Sequence, residues 1–337
     1  MGLLDDKNDR YTLRPMKYPL FYEYYQKAIK NTWTVQEISF NTDIADIRDK
    51  LSESEQHVVS RLVAFFATGD GIVNDNAVLA LYKHVNSPEA RMYYSRQIFE
   101  EALHIEFYLT LLDNYLPNDK ERFEAFAALQ EIPSIKRKGD FCFKWMSDMD
   151  QIEKTDTDEK RRIFLMNLIT FAAAVEGLFF MGAFSYVYYL RSKGLLNGLA
   201  DGTNWVFRDE TLHMNFGFEV VDEIRKEYPQ LWDKEFENRV LDMMYEAIEC
   251  EMMFAEDTLS LGVGGLSSKD MRQFLEFCAD QRFSRLGIDF QFGSKNPFPF
   301  MELQDLDGHA NFFERTVSQY QIGIRGGEEQ VNFDESF

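Results

Sequence analysis

An apolar segment of 28 residues, Ile163 to Leu190, constrains the fold of this chain more than any other feature of its sequence. Its one charged residue is Glu176, near the middle. Length alone would permit a membrane span. Basic residues flank both ends without an orientation bias, however, and the sequence contains no second span for it to pack against. We therefore predict a helix buried on all sides in a large bundle, with Glu176 held at its centre for a chemical reason.

The charge of the chain narrows the classes of partner that it can bind directly. Its formal net charge is −21, which repels nucleic-acid phosphates and anionic lipid, so we expect no nucleic-acid partner and no membrane anchor. The three cysteines are widely spaced, and the first residues lack the apolar stretch of a secretory signal. The expected location is the cytoplasm.

Helical periodicity recurs along the chain without any alternating strand pattern, so the predicted fold class is all-α. Ser52 and Glu55 form a capping box, and Ser87 followed by Pro88 is typical of a helix start. The segment from Pro133 to Asp150 is predicted to be rich in loops. The predicted helices run from about Ser52 to Lys83, Ser87 to Tyr115, Asp158 to Arg191, Thr203 to Tyr228, Trp232 to Leu261 and Ser267 to Leu286.

Three regions are predicted along the chain. Residues 1–30 are aromatic and partly helical, which suggests a strap across the bundle. Residues 31–315 form the helical domain. Residues 316–337 contain glycines, acids and few apolar side chains, which is typical of a flexible tail.

The sequence Glu-x-x-His occurs twice, at Glu101–His104 and Glu210–His213. This spacing places both side chains of each pair on one helical face, close enough to bind one metal ion. A lone carboxylate in apolar company precedes each pair: Asp70 lies 31 residues before Glu101, and Glu176 lies 34 before Glu210. Four-helix carboxylate proteins use two such helix pairs to bind two metal ions.

A single Glu-x-x-His is more often a solvated ion pair than a set of ligands. The combination is more specific, because Asp70 and Glu176 would each cost several kcal/mol if buried without a partner. Two metal ions would neutralise the four carboxylates. Carboxylates with one imidazole per metal suit iron or manganese, and the expected chemistry is a reaction with oxygen. The other histidines, His57, His84 and His309, lie in polar sequence surroundings and are predicted to be solvated.

Tyr108 lies four residues after His104 and seven after Glu101, so all three share one helical face. A tyrosine this close to an oxidised metal pair can lose an electron and a proton. The alternative is an ordinary core tyrosine with a hydrogen-bonded hydroxyl.

Taken together, these residues resemble the beta subunits of class I ribonucleotide reductases, within the ferritin-like superfamily. The resemblance covers nearly the whole chain and includes EEALHIEFY, RDETLH and the long segment NPFPFMELQDLDGHANFFERTVSQYQ. It implies a ferritin-like helical bundle with a dinuclear metal site in its core. It assigns the radical to Tyr108 and an apolar pocket around that radical to Phe180, Phe184 and Val206. The ligands that it implies are Asp70, Glu101, His104, Glu176, Glu210 and His213.

The resemblance also implies an electron path through Trp33, Asp209 and His104, continued in the tail by Tyr320 and Glu314. Taken alone, Trp33 is more often a packing residue, and Asp209 more often a solvated or capping acid.

The cofactor and the partners follow from the same resemblance. Asp70 and Tyr108 favour a tyrosyl radical on a diiron centre, with Mn/Fe and Mn/Mn as alternatives. Activation would use O2 or superoxide, with a flavoprotein as a further partner. The chain would form a homodimer and bind a large alpha subunit, which reduces ribonucleotides as diphosphates or triphosphates, through its C-terminal tail. Two alternative functions remain at this point: a ferritin-like dimetal oxidase or monooxygenase component, and a metal-storage protein.

Overall fold

The computed structural model describes residues 2–5, 13–116 and 118–301, without the side chains of residues 68–76, 121, 124, 126, 128–130 and 150. The chain divides into a compact unit, residues 1–297, and a second unit that begins at Phe298. Of the second unit, only residues 298–301 are described, where the rings of Phe298 and Phe300 stack 5.0 Å apart.

The described residues form eleven α-helices and no β-strand, which confirms the predicted all-α class. Short 3₁₀ turns and one π-helical segment, Thr170–Phe179, join some of them. The α-helices are α1 Pro19–Lys30, α2 Asn41–Asp49, α3 Glu53–His84, α4 Pro88–Tyr115, α5 Asp119–Glu131, α6 Pro133–Met146, α7 Asp158–Ile169, α8 Phe180–Ser192, α9 Asn197–Glu227, α10 Lys234–Thr258 and α11 Ser268–Arg285.

Local capping residues determine where α3 and α4 begin. The Ser52 hydroxyl accepts the backbone N–H of Glu55, whose carboxylate accepts the backbone N–H of Ser52, so the predicted capping box opens α3. Ser87 caps α4, with Pro88 in the first turn, and α4 ends at Tyr115 as predicted. Both helices therefore follow from short-range sequence alone.

The apolar segment is a core helix. α7, the π-helical segment and α8 form one continuous helix from Asp158 to Ser192, and 94% of its most apolar window is buried inside the protein. The prediction of a buried helix is confirmed, but ten residues of it, including Glu176, are π-helical. π-Helical insertions are rare and frequently lie at functional sites. Arg282 on α11 donates to the Gly177 carbonyl oxygen at 3.1 Å, beside Glu176.

Helix α9 begins six residues earlier than the predicted start at Thr203. Its first turn is capped by another helix: Asp43 on α2 accepts the backbone N–H groups of Gly198 and Leu199 at 2.9 and 2.7 Å. Asp46 accepts the N–H of Leu196 at 3.0 Å. Because these caps lie about 150 residues away in sequence, the local pattern could not reveal them.

The prediction of a loop-rich segment from Pro133 to Asp150 is wrong over most of its length. Helix α6 occupies Pro133–Met146 and buries Ile135, Phe141 and Cys142. Its Lys138 is also buried, paired with the fully buried Glu251 on α10. A lysine and a glycine on the buried face hid the helical periodicity in the sequence, because a buried lysine is rare unless a partner neutralises it.

Candidate metal centre

The ligands predicted from the two Glu-x-x-His sequences converge in the middle of the bundle. Helix α4 supplies Glu101, the π-helical segment supplies Glu176, and α9 supplies Glu210 and His213. Ligand atoms of these four buried residues lie within 4.8 Å of one another. The structure therefore brings together residues that are as far as 112 positions apart in the sequence.

His104 borders the same cluster. Its Nδ1 atom lies 3.1 Å from Glu210 Oε1 and 3.4 Å from Glu101 Oε2. The two imidazole rings, of His104 and His213, have their centroids 5.9 Å apart. Asp70, the sixth predicted ligand, is on α3, but its side chain lies outside the described residues.

The cluster carries more buried acceptor atoms than the protein can satisfy. Among the described residues, Glu176 Oε2, both Glu210 carboxylate oxygens and the Nδ1 atoms of both histidines make no well-aligned hydrogen bond, although each Nδ1 lies 3.1 to 3.6 Å from carboxylate oxygens of the cluster. Buried polar atoms are rarely left in this state. Atoms that face a common centre without bonding to each other suit metal coordination.

Burial disfavours the charged form of the carboxylates in this cluster, and neighbouring groups offset this effect to different extents. It raises the pKa of Glu176 well above its usual range. It also opposes ionisation of Glu101, but the imidazoles of His104 and His213, whose Nδ1 atoms lie 3.4 Å from its two oxygens, lower the pKa of Glu101 to about 2. The protein's own groups thus compensate one carboxylate and leave the other without sufficient positive charge nearby. A cation between them would supply it.

The donor set fits hard or borderline divalent metals. Carboxylate oxygens with one imidazole for each ion are typical of iron and manganese sites in helical bundles. The three cysteines, at positions 142, 250 and 278, all lie within the described residues, where they are buried and form no disulfide, and none belongs to this cluster. The residues present therefore fit a pair of metal ions bound by carboxylates and imidazoles.

A hydrogen-bonded chain leads away from His104. Asp209 Oδ2 lies 3.4 Å from His104 Nε2 and accepts the indole N–H of Trp33 at 2.7 Å. Trp33 also stacks beside His104, with ring centroids 6.3 Å apart. All three side chains are buried. The three residues assigned to the electron path by sequence resemblance are thus in direct contact.

Two further side chains contact the cluster and were not predicted to do so. Gln97 donates to Glu176 Oε1 at 2.9 Å, and Glu100 Oε2 lies 2.9 Å from His213 Nε2. Arg96 donates to the other oxygen of Glu100 at 3.0 Å. A signal for Glu100 was present in the sequence, because an acid precedes the glutamate in both Glu-x-x-His copies.

Tyr108 is buried in an aromatic environment on the face of α4 that carries Glu101 and His104. Its ring stacks on Phe66 at 4.6 Å with an interplanar angle of 5°. The ring centroid of Phe184 lies 6.4 Å from that of Phe66 and 5.7 Å from that of Phe180, so these two predicted pocket residues pack next to the stacked pair. Val206 is fully buried on α9 and precedes Phe207, whose ring contacts Phe184.

The remaining predictions have mixed outcomes. Tyr320, Glu314 and His309 lie outside the described residues. His84 is buried rather than solvated, and burial lowers its pKa. His57 is partly buried, and one of its ring nitrogens lies 2.9 Å from the Asp257 carbonyl oxygen. The predictions of solvated surroundings for these two histidines are therefore wrong, because neighbouring helices cover them.

Comparisons with known proteins agree with this geometry. A family model described as ribonucleotide reductase, small chain, matches residues 10–297. A ribonucleoside-diphosphate reductase small subunit from Dictyostelium discoideum is 35% identical and covers 98% of this chain and 93% of its own length.

Two solved structures share the fold. A ribonucleotide reductase R2 subunit from Clostridium botulinum superposes with a TM-score of 0.81 at 19% identity, covering 91% of this chain and 94% of its own. A ribonucleotide reductase homodimer from Saccharomyces cerevisiae gives a TM-score of 0.75 at 25% identity, covering 95% and 92%. With a buried cluster of glutamates and histidines in the helical bundle and these full-length matches, the chain belongs to the family of ribonucleotide reductase small chains, the ferritin-like subunits of this oxidoreductase.

Proposed function

We propose that this small subunit makes and stores a one-electron oxidant on Tyr108 and passes it through His104, Asp209 and Trp33 to a large subunit that reduces ribonucleoside diphosphates. The observation that carries the proposal is the buried contact chain from Trp33 through Asp209 to His104. A metal centre that only stored ions or oxidised a bound small molecule would have no use for this chain.

The metal ions would be held by Asp70, Glu101 and His104 on one side and by Glu176, Glu210 and His213 on the other. When bound, the pair would react with O2 or superoxide and supply the oxidising equivalent. Iron is the first expectation, with Mn/Fe and Mn/Mn as alternatives, and a flavoprotein would be a further partner for activation. The carboxylates on α4, the π-helical segment and α9 are buried and would hold the ions away from solvent.

Tyr108 would hold the radical because its surroundings exclude water and reductants. Its side chain is 3% exposed. The stacked ring of Phe66 and the neighbouring phenylalanines offer no acid or base to the phenol ring on that side. A radical there would be lost only slowly by reaction with small molecules from solution.

Asp209 has a second role beside the electron path. One of its oxygens faces both His104 and Trp33, and the other lies 3.3 Å from Arg208 Nη2. This arrangement fixes the His104 ring with Nδ1 toward the cluster carboxylates and Nε2 toward Asp209. It also gives the proton of the imidazole or the indole a carboxylate acceptor when either ring is oxidised.

A ferritin-like dimetal oxidase or monooxygenase component is not favoured. The family model and the full-length relatives are ribonucleotide reductase small chains.

The partners in this proposal are a second copy of the chain and the large subunit. The Saccharomyces cerevisiae relative is described as a homodimer, and we propose the same state here. We propose that residues 316–337 dock onto the large subunit in the cytoplasm through their few apolar side chains, Val331, Phe333 and Phe337. These residues lie outside the part of the chain that the structure describes, and the proposal rests on their sequence, in which a few apolar side chains stand in a polar segment, as in many docking peptides.

Replacing Trp33 with phenylalanine should leave metal content and radical yield intact and reduce turnover with the large subunit to background. Phenylalanine retains an aromatic ring against His104 but loses the N–H that Asp209 accepts and is far harder to oxidise. Radical yield is measured by low-temperature EPR, and turnover by deoxyribonucleotide formation. Trp232→Phe, on an indole outside the metal centre, is the matched control. Unchanged turnover in Trp33→Phe would remove the relay from the proposal.

Deleting residues 329–337 should leave metal uptake and the radical signal unchanged but abolish turnover, because the docking side chains are lost. A peptide of that sequence should inhibit the full-length pair in proportion to its concentration. Tyr320→Phe should instead retain binding to the large subunit and lose turnover, because it removes only a redox-active hydroxyl. Normal binding and turnover by the truncated chain would show that the tail is not the docking element.

A further inference from the structure

The two metal-binding sequences are more alike than the Glu-x-x-His pattern alone requires. Each copy reads acid-Glu-x-Leu-His, and the two copies are 109 positions apart. The first copy is Glu100, Glu101, Ala102, Leu103 and His104, and the second is Asp209, Glu210, Thr211, Leu212 and His213.

In both copies the leading acid contacts the histidine of the other copy. Asp209 Oδ2 lies 3.4 Å from His104 Nε2, and Glu100 Oε2 lies 2.9 Å from His213 Nε2. The exchange is reciprocal, so each imidazole has a buried carboxylate on the side that faces away from the cluster. Both acids are at most 1% exposed.

An arginine lies next to the second carboxylate oxygen of each of these acids. Arg208 Nε lies 3.4 Å from Asp209 Oδ1, and Arg96 Nε donates to Glu100 Oε1 at 3.0 Å. Arg96 is itself only 9% exposed, and its guanidinium lies over the Phe99 ring at 4.7 Å. A buried arginine and a buried glutamate are costly to retain unless each has a partner. The Arg96–Glu100 pair gives each charge a partner and leaves one glutamate oxygen for His213.

The two arrangements differ in one contact. Asp209 also accepts the indole N–H of Trp33, whereas the described contacts of Glu100 are with His213 and Arg96. Glu100 therefore lies outside the electron path. Asp209 has two proposed roles, one in the electron path and one in fixing the His104 ring. The contacts of Glu100 support only the second role, which is to fix the ring of a metal-binding histidine.

We propose that Glu100, held by Arg96, is a positioning residue for His213: it accepts the Nε2–H and keeps Nδ1 directed at the metal centre. With this ring orientation, Nδ1 lies 3.4 Å from Glu101 Oε1, 3.4 Å from Glu210 Oε2 and 3.6 Å from Glu176 Oε1. The inference rests on the proposed two-metal centre and deepens it. The ion bound by His213 depends on Glu100, and the ion bound by His104 depends on Asp209.

The test compares Mn(II) binding to the full-length chain and to Arg96→Met/Glu100→Met, which removes both charges and so leaves neither unpaired. Free Mn(II) is counted by its EPR signal at increasing metal concentration. Wild-type protein should bind two ions. The double variant should bind one ion with unchanged affinity and the other about 10- to 100-fold more weakly, the usual effect of losing a partner that orients a metal ligand.

Two further variants identify the weakened ion. Adding His213→Ala to the double variant should change the binding of the remaining ion little, whereas adding His104→Ala should remove it. Arg272→Met/Glu249→Met, which removes an exposed Arg–Glu pair outside the metal cluster, should bind both ions as the wild type does. Arg96→Met/Glu100→Gln retains an oxygen acceptor for the His213 N–H and should restore most of the lost affinity.

Equal weakening of both ions, or no weakening, in the Met/Met variant would overturn the role of Glu100. Loss of either ion in the Arg96→Met/Glu100→Gln variant would do the same, even if the Met/Met variant failed to fold. Wild-type protein that bound fewer than two Mn(II) ions would overturn the metal centre, and the inference with it.

Discussion

Replacing Glu176 with alanine should reduce the metal content below two ions per chain and abolish turnover with the large subunit. Glu176 is 1% exposed, and its Oε1 lies 3.6 Å from His213 Nδ1. Its removal takes away one of the anions that would neutralise a buried cation, and at this depth water replaces such a ligand poorly. His213→Ala should have the same effect, because it removes one of only two imidazoles in the cluster.

Metal content is measured on protein loaded with Fe(II) or Mn(II), desalted and analysed for total metal. Glu106→Ala is a matched control, since Glu106 is an exposed glutamate on the same helix as Glu101 and hydrogen-bonds only at the surface with Gln36. It should retain both ions and full turnover. Two tightly bound metals in Glu176→Ala would mean that the site lies elsewhere.

The parts of this fold that could be predicted are those whose causes lie close together in the sequence. The capping box of Ser52 and Glu55 and the Ser87–Pro88 start fix α3 and α4 within a few residues of the predicted ends. The histidines of the metal cluster could be predicted for the same reason. The i, i+3 spacing places Glu101 with His104 on one face whatever the rest of the chain does.

Tertiary contacts caused the errors. Helix α9 begins where Asp43 and Asp46 cap it, and these acids belong to α2. Helix α6 can bury Lys138 because Glu251 comes from α10. Helical periodicity also could not distinguish a regular helix from the π-helical turns around Glu176. A π-helix changes the hydrogen-bond register from i+4 to i+5 without changing the apolar composition.

The same limit applied to the metal centre. Which acid lies behind which histidine depends on how α4 and α9 pack, so the contact between Glu100 and His213 is visible only in three dimensions. The contact between Asp209 and Trp33 was anticipated only through family resemblance. Gln97 is a further case, since nothing in the spacing indicates that it would donate to Glu176.

Replacing Tyr108 with phenylalanine should leave both metals bound and eliminate the sharp tyrosyl signal together with turnover. Phenylalanine keeps the ring that stacks on Phe66 at 4.6 Å, so packing is preserved and only the hydroxyl is lost. Without that hydroxyl the side chain cannot give up a proton with its electron and cannot store the oxidant at an accessible potential. Metal analysis, EPR at low temperature and deoxyribonucleotide formation are measured on the same preparation.

Tyr186→Phe provides the control, because Tyr186 is also fully buried but packs against Phe254, with ring centroids 6.2 Å apart, and is not a residue of the metal cluster. It should keep the radical and turnover. Full activity in Tyr108→Phe, with both metals present, would show that the oxidant is held by the metal ions themselves. The path through His104, Asp209 and Trp33 would then begin at the metal centre, and the aromatic pocket of Phe66, Phe180 and Phe184 would serve only to pack the core.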